Sequence, residues 1–144
     1  MQTYQKILLA VDLTEECEQL KAKASALASA NSAELYLVHV IEPLSFAYGG
    51  DVPIDLGVIQ EQLDEHAHQN LIKYAEGLGY PVKQQFVITG HIETEVHRLA
   101  DEHQIDLIVV GSHGRHGLAL LLGSTANGIL HGAKCDVLAV RIVS

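Results

Sequence analysis

Cysteine is scarce in this chain, and its scarcity limits the kinds of site that the sequence can build. The 144 residues include two cysteines, Cys17 and Cys135, which lie far apart and fit no metal-binding or redox spacing. A reducing, intracellular compartment is the simplest interpretation. Residues 1–6 carry no signal-peptide pattern and lead directly into a strand-like run, so we expect a cytoplasmic protein.

Positive charge and long apolar runs are also lacking. Nine Lys and Arg residues stand against 18 Asp and Glu residues, which gives a formal net charge of −9. Because a nucleic-acid backbone requires a basic surface, this charge argues against nucleic acid as a general partner. A small phosphate ligand is still compatible with it, since backbone N–H groups and a helix N-terminus can hold one. The apolar runs are too short to cross a bilayer, so no membrane partner is expected.

Apolar residues, in contrast, make up 48% of the chain, enough for a single domain of residues 1–144 with a buried core. Five strand-like runs alternate with four helix-like segments. The predicted strands are 6–11, 34–41, 82–88, 105–110 and 137–143, and the predicted helices are 14–30, with Thr14 as the N-cap, 59–75, 92–100 and 124–130. Continuous apolar strands between helices predict an α/β fold, a doubly wound parallel sheet with helices on both faces.

Two polar or irregular stretches refine this prediction. Lys83, Gln84 and Gln85 interrupt the third strand, which therefore lies near an edge of the sheet. Residues 43–56 form a loop that is long for a compact domain, so we expect it to cover something.

The segment that follows the fourth strand has the parts of a phosphate cradle. Its glycines allow the backbone to approach a ligand closely. Ser124 or Thr125 offers a hydroxyl at a helix N-terminus, where free N–H groups favour an anion, and Arg115 adds a cation. Asp12 follows the first strand and suits ribose hydroxyls, because ligands of open α/β sheets bind at the carboxyl ends of the strands. The alternative is a surface loop whose glycines only make turns.

The order of several motifs resembles the universal stress protein family over nearly the whole length of the chain. The matching pieces are ILLAVD at 7–12, LVHV at 37–40, DLIVVGSHG at 106–114, GSTA at 123–126 and CDVLAVR at 135–141. No single piece is specific, but their combination and order are.

This resemblance implies a Rossmann-like, five-stranded sheet of order 3-2-1-4-5, a homodimer and, in the nucleotide-binding branch, a glycine pattern around ATP phosphates. The family pattern is Gly-x-x-Gly, nine residues, then Gly-Ser/Thr. Carried onto this chain, adenine and ribose would meet the ends of the first two strands, and the phosphates would meet the glycine segment. The implied binding residues are Ala10, Val11, Asp12, Val40, Gly111, Ser112, His113, Gly114, Arg115, Gly123, Ser124 and Thr125.

The spacer between the glycine pairs departs from the family pattern, because residues 115–122 number eight and not nine. We therefore expect the outer phosphate pocket to differ, and AMP, ADP and ATP to differ in affinity less than they would if γ-phosphate contacts dominated. An adenine nucleotide, ATP or AMP, is the expected ligand of a stress-response regulator or sensor, and any Mg²⁺ would arrive with the phosphates.

Two other functions stay open. A nucleotide hydrolase would need a positioned water, a base and metal-binding carboxylates. Asp12 is the only carboxylate near the expected crevice, so no catalytic residue is assigned and at most slow ATP hydrolysis is expected. The second alternative is a dimeric interaction protein of the same fold that binds no nucleotide, since one branch of the family lacks the glycines.

Three further predictions concern the histidines and the last strand. His113 and His116 are spaced like a metal pair but have no evident Cys or carboxylate partner, so no metal site is expected. His39, within an apolar strand, is expected to be a hydrogen-bonded core or strand-end residue rather than a base. The last strand carries Arg141 as its only charge, and as an apolar edge strand it is expected to pair with its copy in a two-fold dimer.

Overall fold

Strands and helices alternate along the chain as the apolar pattern predicts. The structure is a computed structural model that describes residues 4–42, 56–113 and 124–142. Its strands are β1 (Lys6–Ala10), β2 (Glu34–Ile41), β3 (Val82–Thr89), β4 (Leu107–His113) and β5 (Asp136–Ile142). Its α-helices are α1 (Gln19–Asn31), α2 (Leu56–Glu76), α3 (Ile92–Glu102) and α4 (Ser124–Leu130), and a short 3₁₀ helix spans Glu15–Glu18. None of the helices described is long and apolar enough to cross a membrane.

The five strands form one parallel sheet of order β3-β2-β1-β4-β5. This confirms the doubly wound α/β prediction and the order implied by the family resemblance. The chain leaves β1 toward β2 on one side and returns to β4 on the other, so the order reverses between β1 and β4. A crevice at the carboxyl ends of these two strands follows from that reversal. β3 lies at an edge with Lys83, Gln84 and Gln85 exposed, as predicted.

Each face of the sheet has its own apolar core. Alternate β1 residues such as Ile7 and Leu9 pack with α1 and α2, whose contributions include Leu20 and Leu71. The residues between them, such as Leu8, face the other side with buried side chains of α3 and α4, among them Val96, Leu99 and Ile129. The central strands are therefore apolar on both faces, which explains their continuous hydrophobic runs.

Several predicted boundaries at the carboxyl side of the sheet differ from those of the structure. α1 begins at Gln19 after the 3₁₀ turn, and Thr14 does not cap it, because the Thr14 hydroxyl donates to Asp12 Oδ1 at 2.8 Å. β4 does not end at Val110 but continues to His113, because β5 pairs with it up to His113↔Ile142. The end of the predicted loop 43–56 is also revised, since Leu56 begins α2. Residues 43–55 lie outside the described residues.

Candidate functional site

A small cleft lies at the carboxyl ends of β1 and β4. Its volume is about 70 Å³, and its lining includes Ala10, Val11, Asp12, Gly111 and Thr125, all predicted as binding residues. Pockets that enclose a ligand of nucleotide size usually measure roughly 300–1,000 Å³, so this cleft alone is too small to enclose one. Segments 43–55 and 114–123, which adjoin the ends of β2 and β4 in sequence, lie outside the described residues.

The turn after β1 places the Asp12 carboxylate at the cleft. The Val11 N–H donates to the Val38 carbonyl at 2.9 Å, which continues the β1–β2 pairing by one bond. Asp12 Oδ1 then accepts the Thr14 N–H at 3.1 Å and the Thr14 hydroxyl at 2.8 Å. Between them Leu13 has a φ of 60°, a left-handed conformation that costs a non-glycine residue energy and persists where neighbours fix it. The turn therefore holds an exposed carboxylate in one position.

Val40 lies beyond the point where β1 stops pairing with β2. The last paired residues are Ala10 and Val38, and the Val38 carbonyl accepts from the β1 side. Residues two apart in a strand direct their backbone groups to the same side, so the N–H and C=O of Val40 also point toward the β1 side. The Ile41 carbonyl, in contrast, accepts from Gly90 beyond β3. Val40 thus presents a donor and an acceptor past the end of β1.

Gly111 has a packing role that was not predicted from the sequence. A Cβ atom placed there would lie 3.0 Å from Ile142 Cγ1 and 3.7 Å from Leu20 Cδ1. The missing side chain therefore lets β5 and α1 close over β4. Gly111 also lines the cleft with its backbone, so the glycine serves core packing at the point where a ligand would approach. Ser112, the next residue of β4, is buried.

The rest of the predicted phosphate cradle is only partly described. His113 ends β4 and Ser124 begins α4, which fixes where the glycine segment leaves and rejoins the fold. Gly114, Arg115 and Gly123 lie outside the described residues, so their assignment stays a prediction. The lining residues that sequence reasoning missed are Cys17, Leu20, Ile92, Val110 and Ile142. Apart from Val110, which belongs to the motif at 106–114, they carry no motif, and only the topology brings them to one edge.

Cys17 brings a thiol to the cleft, but its chemistry is that of a core residue. The side chain is 4% exposed. Burial, with the nearby Asp12 charge, raises the pKa of the thiol to about 11. Since the thiolate is the reactive form, a thiol that stays protonated near neutral pH is inert.

His39 is a hydrogen-bonded strand residue, as predicted. Its Nδ1 lies 2.8 Å from the Val11 carbonyl oxygen. A carbonyl only accepts, so Nδ1 carries the hydrogen and donates it. This bond reaches the same turn that positions Asp12.

A second, larger groove of about 620 Å³ lies at the opposite end of the sheet, where its lining includes Ile105 and Cys135, which precede β4 and β5. Its Arg98 is already engaged, with bonds to Glu95 at 2.7 Å and Glu102 at 2.9 Å. This groove is separate from the cleft at the carboxyl ends of β1 and β4, where strand order reverses. Nowhere in residues 4–42, 56–113 and 124–142 do three metal-ligating side chains cluster.

Comparison with known proteins agrees with this architecture. The model of the universal stress protein family matches residues 3–141. Universal stress protein A homolog 1 of Coxiella burnetii is 44% identical over 95% of this chain and 96% of its own. The solved structure of hypothetical protein MJ0577 has a TM-score of 0.78 and 26% identity, covering 98% of each chain. A universal stress protein solved in complex with cAMP has a TM-score of 0.61 and 22% identity, covering 96% and 97%.

Proposed function

Because this chain belongs to the universal stress protein family, we propose that it binds an adenine nucleotide and acts as a stress-response regulator or sensor. The main observation that supports this proposal is the cleft at the point where strand order reverses. The ends of β1 and β4 and Thr125 of α4 meet there. The cAMP-bound relative, which shares the fold, holds an adenine nucleotide and supports the same class of ligand.

The backbone of Val40 supplies the chemistry for choosing adenine. An N–H donor and a C=O acceptor match adenine, which offers a ring-nitrogen acceptor beside an amino donor. Guanine presents a carbonyl and a ring N–H in those places, so donors would face donors and acceptors would face acceptors. Unpaired polar groups of this kind are costly once water is excluded. The exposed Asp12 carboxylate accepts hydrogen bonds from the ribose hydroxyls. This contact does not depend on how many phosphates the nucleotide carries.

Binding rather than efficient catalysis fits the charges at the cleft. Among the described lining residues Asp12 is the only carboxylate, and Oδ1 of Asp12 already accepts from Thr14. Hydrolysis of a phosphoanhydride usually needs metal ions and a residue that positions the attacking water. We therefore propose that ATP turnover is far below the roughly 1–10³ s⁻¹ of ordinary enzymes. Any Mg²⁺ would come with the phosphates.

Calorimetric titration of wild type with AMP, ADP, ATP, cAMP and GTP tests the proposal. We expect binding of the adenine nucleotides and no binding of GTP. AMP, ADP and ATP should differ in affinity less than they would if γ-phosphate contacts dominated. Asp12→Asn keeps an oxygen for Thr14 but removes the charge, so adenine-nucleotide affinity should fall about tenfold to a hundredfold, the scale of a hydrogen bond to a charged group.

Asp101→Ala is the matched control, because it removes an exposed carboxylate that lines the other groove. Its affinity should equal that of wild type. Gly114→Val, in the segment outside the described residues, tests the predicted close approach of the phosphates. If wild type binds no adenine nucleotide, the proposal is wrong and a pure interaction protein takes its place.

The proposal includes assembly as a homodimer through β5. β5 is an edge strand, and it carries exposed or half-buried apolar residues at Val137, Leu138 and Ala139. An edge of this kind is a template for pairing with another strand.

A further inference from the structure

We propose that His39 is a positioning residue for the adenosine half of the site, an inference that rests on the proposed function. His39 contacts the turn that holds Asp12 and precedes Val40, whose backbone faces the proposed base. It would thereby join the two strand ends that recognise adenine and ribose.

The place of His39 in the sheet indicates that its hydrogen bond, and not its bulk, matters. Leu35 and Leu37 precede it on the same face of β2 and are fully buried in the core shared with α1 and α2. Another apolar side chain would continue this row. The imidazole instead directs Nδ1 to the Val11 carbonyl at 2.8 Å, across to the neighbouring strand.

The backbone of Val11 is therefore held by β2 through two bonds. Its N–H donates to the Val38 carbonyl at 2.9 Å, and its C=O accepts from His39. Strand pairing supplies the first bond, while the second comes from a side chain after regular pairing has ended at Ala10. Val11 is followed by Asp12 and by Leu13, whose φ is 60°. A strained turn stays in place only when its neighbours fix it, and the His39 bond is one such restraint.

Without this bond the peptide between Val11 and Asp12 loses one restraint on its rotation, and the Asp12 carboxylate is held less firmly relative to Val40. Since His39 lies on the adenosine side, the loss should be the same for adenosine, AMP and ATP. It should also reduce the preference for adenosine over guanosine, because that preference depends on how the base is held against Val40.

The test compares His39→Leu with His39→Asn. Leucine fills the space without a donor and leaves the Val11 carbonyl unpaired. The asparagine amide nitrogen stands as many bonds from Cα as Nδ1 does, so it can restore the donor. We expect about tenfold weaker binding of adenosine, AMP and ATP alike in His39→Leu, the scale of one hydrogen bond. His39→Asn should recover most of the affinity.

Tyr80→Phe is the matched control for stability. The Tyr80 hydroxyl donates to the Ala33 carbonyl at 2.6 Å, at the opposite end of β2. Removing this bond takes away a similar contact from the same strand but should leave affinity unchanged. If His39 only stabilised the fold, His39→Leu would lower the urea midpoint as Tyr80→Phe does. The affinity and base preference of His39→Leu would then equal those of wild type.

The two proposals fail in different ways. If wild type binds adenine nucleotides and His39→Leu binds them equally well, the positioning role is wrong and the proposed function stands. A loss in His39→Leu that grows from adenosine to ATP, or that His39→Asn does not reverse, also overturns it. If wild type binds no adenine nucleotide or nucleoside, the proposed function fails, and the role of His39 fails with it.

Discussion

Cys17 and Tyr74 form a buried pair beneath the turn that follows β1. The Tyr74 hydroxyl donates to the Cys17 carbonyl at 2.7 Å, and the two side chains are 4% and 5% exposed. Burial raises the pKa of the Cys17 thiol from 9.0 to about 11, and it raises the pKa of Tyr74 well above its ordinary value of 10.0. Both groups are therefore protonated in the folded protein where the unfolded chain would release a proton.

These raised pKa values predict loss of stability in alkali. Below pH 9 both states keep the Cys17 proton, and its contribution to folding is complete. Between pH 9 and about 11 the unfolded chain binds fewer protons than the folded one, so the free energy of unfolding falls as pH rises. Urea unfolding at pH 8, 9, 10 and 11 should show this slope. Cys17→Ala should flatten it in this window, and the slope that remains comes from groups such as Tyr74.

Ala24→Gly is the control for this pH series. Ala24 is fully buried in α1, so the substitution destabilises the fold by roughly 1 kcal/mol without removing a titrating group. Its curve should shift down and keep the wild-type slope. Equal slopes in wild type and Cys17→Ala would show that the thiol does not titrate as its burial implies.

At the scale of elements, α4 depends on α3 for its stability. α4 has seven residues, and helices of that length are not stable alone in water. His97 of α3 donates from Nε2 to the Ile129 carbonyl at 2.7 Å, a helix-end carbonyl that otherwise lacks an intrahelical partner. Val96 and Ile129 are both fully buried in the core beside it. The His97 hydrogen bond and the buried side chains Ala126 and Ile129 thus help to hold the helix that carries Thr125.

We predict that His97→Ala loosens α4 before the rest of the fold. Hydrogen exchange of α4 amides should accelerate about tenfold, the scale of one hydrogen bond, while β1 and β2 exchange as in wild type. His131→Ala is the matched control, because the exposed His131 ring bonds to Asn127 O at 2.9 Å, one turn back along the chain, and not to α3. Equal exchange in His97→Ala and His131→Ala would show that α3 does not hold α4.

The elements also show where sequence reasoning succeeds and where it stops. β2 spans the predicted residues 34–41, because a strand buried on both faces is a continuous apolar run. The predicted end of β4 was wrong, because Gly111 is typical of loops. That Gly111 lies within a strand is seen only from the pairing of β4 with β5 and from the contact with Ile142. Asp12 was found from its place after a strand. Ile142 and Ile92 were not predicted as lining residues of the cleft, since no local pattern tells which segments reach the same edge of a sheet.

The whole sheet is asymmetric, and this asymmetry predicts how two molecules meet. β3 closes one edge with Lys83, Gln84 and Gln85 exposed, which protects that edge from pairing. β5 closes the other edge with Leu138 at 36% exposure and with Val137 and Ala139 half-buried. α4 is too short to cover all of this strand. Association through β5 would pair its free edge and bury these side chains.

We predict a two-fold dimer in which β5 of one protomer lies against β5 of its partner. Sedimentation velocity at micromolar concentration should show a dimer for wild type. Leu138→Lys places a charge on the exposed apolar edge, where a second copy would bury it, and should give a monomer. Val140 is unsuitable for this substitution, because it is 8% exposed and packs in the core with α1, so a charge there would test folding instead.

Ile72→Lys is the matched control for this experiment. Ile72 lies on α2, away from β5, and is 49% exposed, so the same change of chemistry is made on another surface. It should remain a dimer and unfold at nearly the wild-type urea concentration. Leu138→Lys should unfold in one cooperative transition at a lower urea concentration, because association stabilises the folded state. A monomeric wild type would remove the proposal, and so would a Leu138→Lys variant that stays dimeric, because an ammonium group buried at the two-fold interface without a partner costs several kcal/mol. A monomer from both variants would place the interface on α2 rather than β5.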